Sequence, residues 1–112
     1  MRILITGAGT GIGRATAQVL TARGHDVVAT ARRVEVLDDL DVAAKLPLDV
    51  TDADSVAACV AAAGQIDGLV NNAGVLGGGP LETFPADKAR EVFETNVFGP
   101  LRMINALVPA MR

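Results

Sequence analysis

The run Thr6-Gly7-Ala8-Gly9-Thr10-Gly11-Ile12-Gly13 constrains this chain more than any other segment. It closes the short apolar run Arg2 to Thr6 and opens a helical stretch, Gly11 to Arg23. That stretch carries Ile12, Ala15, Thr16, Val19 and Leu20 at helical spacing, and Gly24 stands as its C-terminal stop. A strand that turns through glycines straight into a helix leaves the first helical N–H groups free at the positive end of the helix. Such groups can hold a pyrophosphate. Here Gly7 permits the tight turn, Gly11 lets the backbone approach phosphates, and Gly13 lets the helix pack closely on the sheet. Thr10 and Ile12 complete the set of candidate contacts. The spacing is Gly-x-x-x-Gly-x-Gly. The Gly-x-Gly-x-x-Gly form does not fit, because Ile12 and Arg14 stand where its last glycine would fall. A flexible loop joining two elements is the plainer reading of the same residues.

The rest of the chain continues the alternation. Val27 to Thr30 reads as a second strand, Val34 to Leu40 as one or two helical turns, and Lys45 to Leu48 as a third strand. Thr51-Asp52-Ala53-Asp54 has the form of a capping box, with Thr51 as N-cap, for a helix running to Ala63 and stopped by Gly64. Ile66 to Asn71 is a fourth strand and Ala73 to Pro80 a glycine-rich loop. From Ala86 the chain is helical to near its end, with Ala89, Val92, Phe93, Val97, Leu101, Ile104 and Val108 as one apolar face. Pro100 implies a kink near Phe98 to Pro100. The order β-α-β-α-β-α-β-α, with crossovers long enough for parallel pairing, predicts an α/β Rossmann-type sheet of about four strands in the order 3-2-1-4. Helices cover both faces, and residues 1–112 form one partial domain of an incomplete doubly wound fold. Composition agrees: half the residues are apolar and only 3% aromatic, the mixture a sheet buried on both faces requires.

The exit of the second strand bears on which ligand would fit. An NAD-type domain places a carboxylate there for the ribose hydroxyls, whereas this strand leaves through Thr30-Ala31-Arg32-Arg33 with no acid before Glu35. Arg32 and Arg33 suit a 2′-phosphate and so favour NADP(H) over NAD(H); two solvated arginines are the alternative.

Other functions are disfavoured. A net charge of −3 with no basic stripe argues against nucleic acid. No apolar stretch approaches membrane-spanning length without a Gly, Pro or charge. No secretory signal precedes the first strand, and the single cysteine, Cys59, has no internal partner, so a reducing cytoplasmic setting is expected. Cys59 itself reads as inert packing. His25 reads as a surface residue between a helix and a strand, and no metal site suggests itself.

Thr6-Gly7-x-x-x-Gly11-Ile12-Gly13, Asp49-Val50, Asn71-Asn72-Ala73-Gly74 and Asn96-Val97 stand in the order and at the spacings of the short-chain dehydrogenases/reductases, and the chain resembles that family along its whole length. The resemblance implies that Asp49 hydrogen-bonds an adenine ring with Val50 packed beside it. By the same resemblance Asn72, Ala73 and Gly74 stabilise the central sheet and line the cofactor's ribose. Asn96 resembles the family's catalytic asparagine, which holds a water in a proton relay at an irregularity of the long helix. Each has a plainer reading: a turn or cap carboxylate, an ordinary strand-ending turn, a polar residue beside a kink.

Members of the family transfer hydride between the nicotinamide and alcohol or carbonyl substrates, using a Ser and a Tyr-x-x-x-Lys pair in addition to the helix Asn. This chain contains no tyrosine. Its only serine, Ser55, opens an earlier helix, and neither Lys45 nor Lys88 stands in such a motif. The expectation is therefore the N-terminal, cofactor-binding part of a longer NADP(H)-dependent oxidoreductase, inactive by itself; the alternative is a non-catalytic dinucleotide-binding or sensing module. An open edge on the fourth strand (Ile66, Leu69, Val70) and a possible homo-oligomer through the C-terminal helix accompany that expectation.

Overall fold

The computed structural model describes residues 1–112. Its frame is a parallel sheet in the expected order β3-β2-β1-β4, built from β1 (Arg2–Ile5), β2 (Asp26–Ala31), β3 (Ala44–Pro47) and β4 (Gly68–Val70). Ile5 pairs with Ala29 on one side and Val70 on the other, and Val28 pairs with Ala44. Side chains alternate across a strand, so a sheet covered on both sides needs apolar residues at every position. Leu4 and Val28 join one core with Val56, Cys59 and Ala63 of α2 (Ala53–Ala63) and Met103 and Leu107 of α4 (Gly99–Met111). Ile3, Ile5, Val27 and Ala29 join the other with Ala17 of α1 (Gly11–Ala22), Leu37 and Leu40. Cys59 lies in the first core as expected, and burial pushes its thiol pKa up. His25 is half-buried, its Nδ1 3.4 Å from the Met1 ammonium. No helix is long and apolar enough to cross a membrane.

Several local expectations need correction. Gly13 and Ala17 are the residues of α1 that face the sheet, while Ile12, Ala15 and Val19 lie outside. A helix entered directly from a strand lies close to the sheet, so small side chains occupy its first contacts, and Leu20, two turns on from Gly13, packs at the edge of the core as expected. The Val34 segment makes a single 3₁₀ turn, Val34–Leu37. β4 is shorter than the apolar run containing it, its residues pairing with Ile3 to Ile5 of β1.

The cap of α2 is Asp52, not Thr51. Asp52 Oδ1 accepts from the amides of Asp54 (2.9 Å) and Ser55 (3.3 Å), while the Thr51 hydroxyl donates to Asp49 Oδ1 at 2.7 Å. A carboxylate is the stronger acceptor at a positive helix end, and Asp49 has already claimed the threonine.

The C-terminal helical stretch is divided into α3 (Ala86–Phe93), a π turn (Glu94–Phe98) and α4. The irregularity thus lies upstream of Pro100, which occupies the first turn of α4. Phe93, Val97, Leu101 and Ile104 face outward, and Gly99, Met103 and Leu107 face the core. The apolar stripe is exposed on both sides of the π turn, from Phe93 before it to Leu101 and Ile104 after it.

Candidate functional site

The segments that follow all four strands converge on one hollow of about 680 Å³ at the C-terminal edge of the sheet, within the range of small-molecule sites. Its floor is the glycine turn after β1. Gly7 and Gly11 have φ of +65° and +58°, which a side chain would strain. A Cβ on Gly13 would lie 2.3 Å from both the Gly7 carbonyl oxygen and Asn72 Nδ2, so this glycine permits contact between helix and sheet. A Cβ on Gly11 would meet nothing within 4 Å, so its backbone is open to a ligand. Thr10 precedes α1 without a side-chain cap, and the first amide bonded back into the helix is that of Arg14, on the Thr10 carbonyl. The amides of Gly11, Ile12 and Gly13 are left without protein partners. A helix end in this condition attracts an anion.

Thr6 joins the glycine turn to the turn after β4. Its buried Oγ1 accepts from the Asn72 amide at 3.0 Å and the Ala73 amide at 2.9 Å, while Asn72 Nδ2 donates to the Gly7 carbonyl at 2.9 Å. Asn72, Ala73 and Gly74 line the hollow, so they both stabilise the sheet edge and form a wall. Thr6 was named in the sequence only as part of the motif. Its role as a two-amide acceptor is visible only once β1 and β4 are adjacent.

Arg32 and Arg33 also line the hollow. Arg32 makes no ion pair or hydrogen bond, whereas Arg33 Nε lies 3.4 Å from Glu35 Oε1. The 3₁₀ turn behind them is held by Arg14, which reaches Asp39 at 2.7 Å and the Val36 carbonyl at 3.4 Å. Val36 packs against Gly9, a wall contact that spacing did not reveal. Asp49 and Val50 lie at the end of β3. Asp49 Oδ1 accepts from the Thr51 hydroxyl and, at 3.0 Å, from the Thr51 amide; its own amide donates to Ser55 Oγ at 2.8 Å. The Thr51 hydroxyl bond holds the Asp49 carboxyl below its usual pKa, against the opposing effect of burial. One carboxylate oxygen is therefore engaged locally, and Oδ2 is left for a ligand.

At the far end, Val75, Leu76 and Thr95 complete the lining. Asn96 itself does not line it. Its Oδ1 accepts from the Val75 amide and its Nδ2 donates to the Val75 carbonyl, both at 2.8 Å. Of the residues expected to contact a cofactor, only Gly13 is absent from the lining, and it sits directly behind the floor.

Residues 1–112 match the short chain dehydrogenase family from end to end. The chain belongs to that family. A 3-ketodihydrosphingosine reductase of Bacteroides thetaiotaomicron is 39% identical over 98% of this chain and 42% of its own length. A short-chain dehydrogenase from Streptomyces avermitilis superposes with a TM-score of 0.94 at 43% identity, covering 99% of this chain and 44% of the other. Two further solved members hold cofactors. The 3-ketoacyl-(acyl-carrier-protein) reductase from Brucella melitensis contains NADH (TM-score 0.89, 31% identity, 97% and 49% coverage). A metagenomic short-chain oxidoreductase contains NADP (TM-score 0.86, 35% identity, 99% and 56% coverage). The chain spans about two fifths of the length of the curated relatives it matches.

Proposed function

We propose that this chain is the cofactor-binding part of an NADP(H)-dependent oxidoreductase that moves a hydride between a nicotinamide and an alcohol or carbonyl substrate. The observation that carries the proposal is the joining of three recognition elements in one hollow: free amides at Gly11 and Ile12, the unpaired Arg32 beside Arg33, and the free Asp49 oxygen. In this reading the amides take the pyrophosphate, the arginines take a 2′-phosphate, and Asp49 with Val50 takes the adenine. A bound nicotinamide dinucleotide would supply or accept the hydride. Asn72 to Gly74 border the ribose. Asn96 fixes the loop at the nicotinamide end, with the second N–H of its Nδ2 and the second lone pair of its Oδ1 left to hold a water.

Proton transfer to the substrate is beyond these 112 residues. The chain has no tyrosine, and Ser55 Oγ accepts the Asp49 amide. Lys45 donates to the Asp38 carbonyl, and Lys88 pairs with Glu91. The chain alone is accordingly assigned binding without turnover. The same residues favour, as a second reading, a dinucleotide-binding module with no catalytic role. A reducing cytoplasmic setting fits the lone buried Cys59, and the outward apolar face of α4 suits a second copy of the chain.

The test is a titration of the purified chain and of its Arg32→Ala/Arg33→Ala variant with NADPH and with NADH. Loss of two phosphate contacts should weaken NADPH about tenfold or more and leave NADH nearly unchanged. Equal loss for both cofactors would refute the 2′-phosphate assignment, and carbonyl reduction by the chain alone would refute the assignment of binding without turnover.

A further inference from the structure

The π turn between α3 and α4 is held by a residue that none of the motifs contains. Arg102, in the first turns of α4, donates through Nη2 to Glu94 Oε2 at 2.7 Å and through Nη1 to the Val50 carbonyl at 3.2 Å. Glu94 begins the π turn, and its carbonyl accepts the Gly99 amide five residues on. At about 100° per residue, positions eight apart on a regular helix sit about 80° out of line. One extra residue in the winding reduces the separation to seven effective steps, or about 20°. Glu94 and Arg102 therefore share a face only when the π turn is present. The same turn places Thr95 on the hollow and directs Asn96 to Val75. A Cβ at Gly99 would lie 2.6 Å from Val50 Cγ2, so the start of α4 rests directly on the residue whose carbonyl Arg102 holds.

We propose that Arg102 is a positioning residue whose pair with Glu94 locks the π-turn register, fixing the Asn96 clamp on Val75 and tying that end of the hollow to Val50. The pair is partly exposed, with side chains 31% and 45% accessible, so its contribution is to register more than to overall stability. Its effect on cofactor affinity rests on the proposal that the hollow holds a dinucleotide. Its effect on the clamp does not.

The test uses the nearly isosteric Glu94→Gln, with Arg102→Met as a second variant and Arg102→Lys as the conservative one. Amide exchange is followed by NMR without cofactor, and NADPH affinity is measured separately. Glu94→Gln and Arg102→Met should speed exchange of the Val75 amide about tenfold while leaving Leu4 and Val28 in the sheet unchanged; Arg102→Lys should lie closer to wild type. NADPH affinity should fall about fivefold in the first two variants. Unchanged Val75 exchange, or equal acceleration in the sheet, overturns the register lock. Faster Val75 exchange with unchanged NADPH affinity overturns the coupling to the hollow. A wild-type chain that binds no NADPH refutes the cofactor proposal, while the Val75 measurement still decides the lock.

Discussion

Asn96 and Val75 are joined by two hydrogen bonds of 2.8 Å, the side-chain amide of one reading both backbone groups of the other. A side-chain amide has one acceptor and one donor end, so it matches a peptide unit as no carboxylate can. Asn96→Asp keeps the acceptor for the Val75 amide but turns a second carboxylate oxygen towards the Val75 carbonyl. At neutral pH it should therefore loosen the loop at least as much as Asn96→Ala, at a cost of about 1 kcal/mol or more. Protonation supplies an O–H donor, so the Asp variant should recover as pH falls below the carboxylate range, and the Ala variant should not. Val75 amide exchange against pH distinguishes the two; parallel behaviour would contradict the clamp.

Gly13 lies where the helix touches the turn after β4. A methyl group there would overlap the Gly7 carbonyl and Asn72 Nδ2, the two groups that bond to each other. Gly13→Ala should lower stability by roughly 1–3 kcal/mol. Gly11→Ala meets no neighbour and is penalised only through its positive φ. Urea denaturation of both variants checks the difference, and a Gly13→Ala chain as stable as wild type would contradict the close contact.

The Asp49 carboxyl is held below its ordinary pKa of 3.8 by Thr51. A pKa depressed in the folded state contributes stability above the unfolded pKa, and that contribution is lost as pH falls through the folded one. Thr51→Val removes the hydroxyl bond and should cost about 1 kcal/mol at neutral pH. The difference from wild type should shrink as pH drops through the carboxylate range. Urea midpoints across that range provide the check, and a pH-independent deficit would exclude the Asp49 linkage.

The strand order and the place of the hollow could be read from the sequence because both rest on residues whose chemistry is local. A glycine turn between a strand and a helix, arginines after β2 and Asn-Asn-Ala-Gly after β4 each state their backbone or charge requirement in a few adjacent positions. What could not be read depends on neighbours distant in the chain. The inward face of α1 is Gly13 and Ala17 because the sheet lies so near, and no periodicity of large apolar residues reports that. The cap of α2 moved from Thr51 to Asp52 because Asp49 competes for the threonine. That Met103 and Leu107, and not Leu101 and Ile104, meet the core depends on where α2 and the sheet lie. Thr6 and Val36 matter through contacts 22 to 67 residues away, and Arg102 through the Val50 carbonyl, 52 residues away, and through Glu94, which the π turn brings onto its face.

In the proposed function, the free amides of Gly11 and Ile12 receive the pyrophosphate of NADP(H). This is tested most directly by following the ¹⁵N-labelled chain by NMR as NADPH is added. Saturable shifts are expected, concentrated at Gly11 and Ile12, with accompanying changes at Arg32, Arg33 and Val50. Absence of shifts at these amides, or saturable shifts confined to another surface, would contradict it.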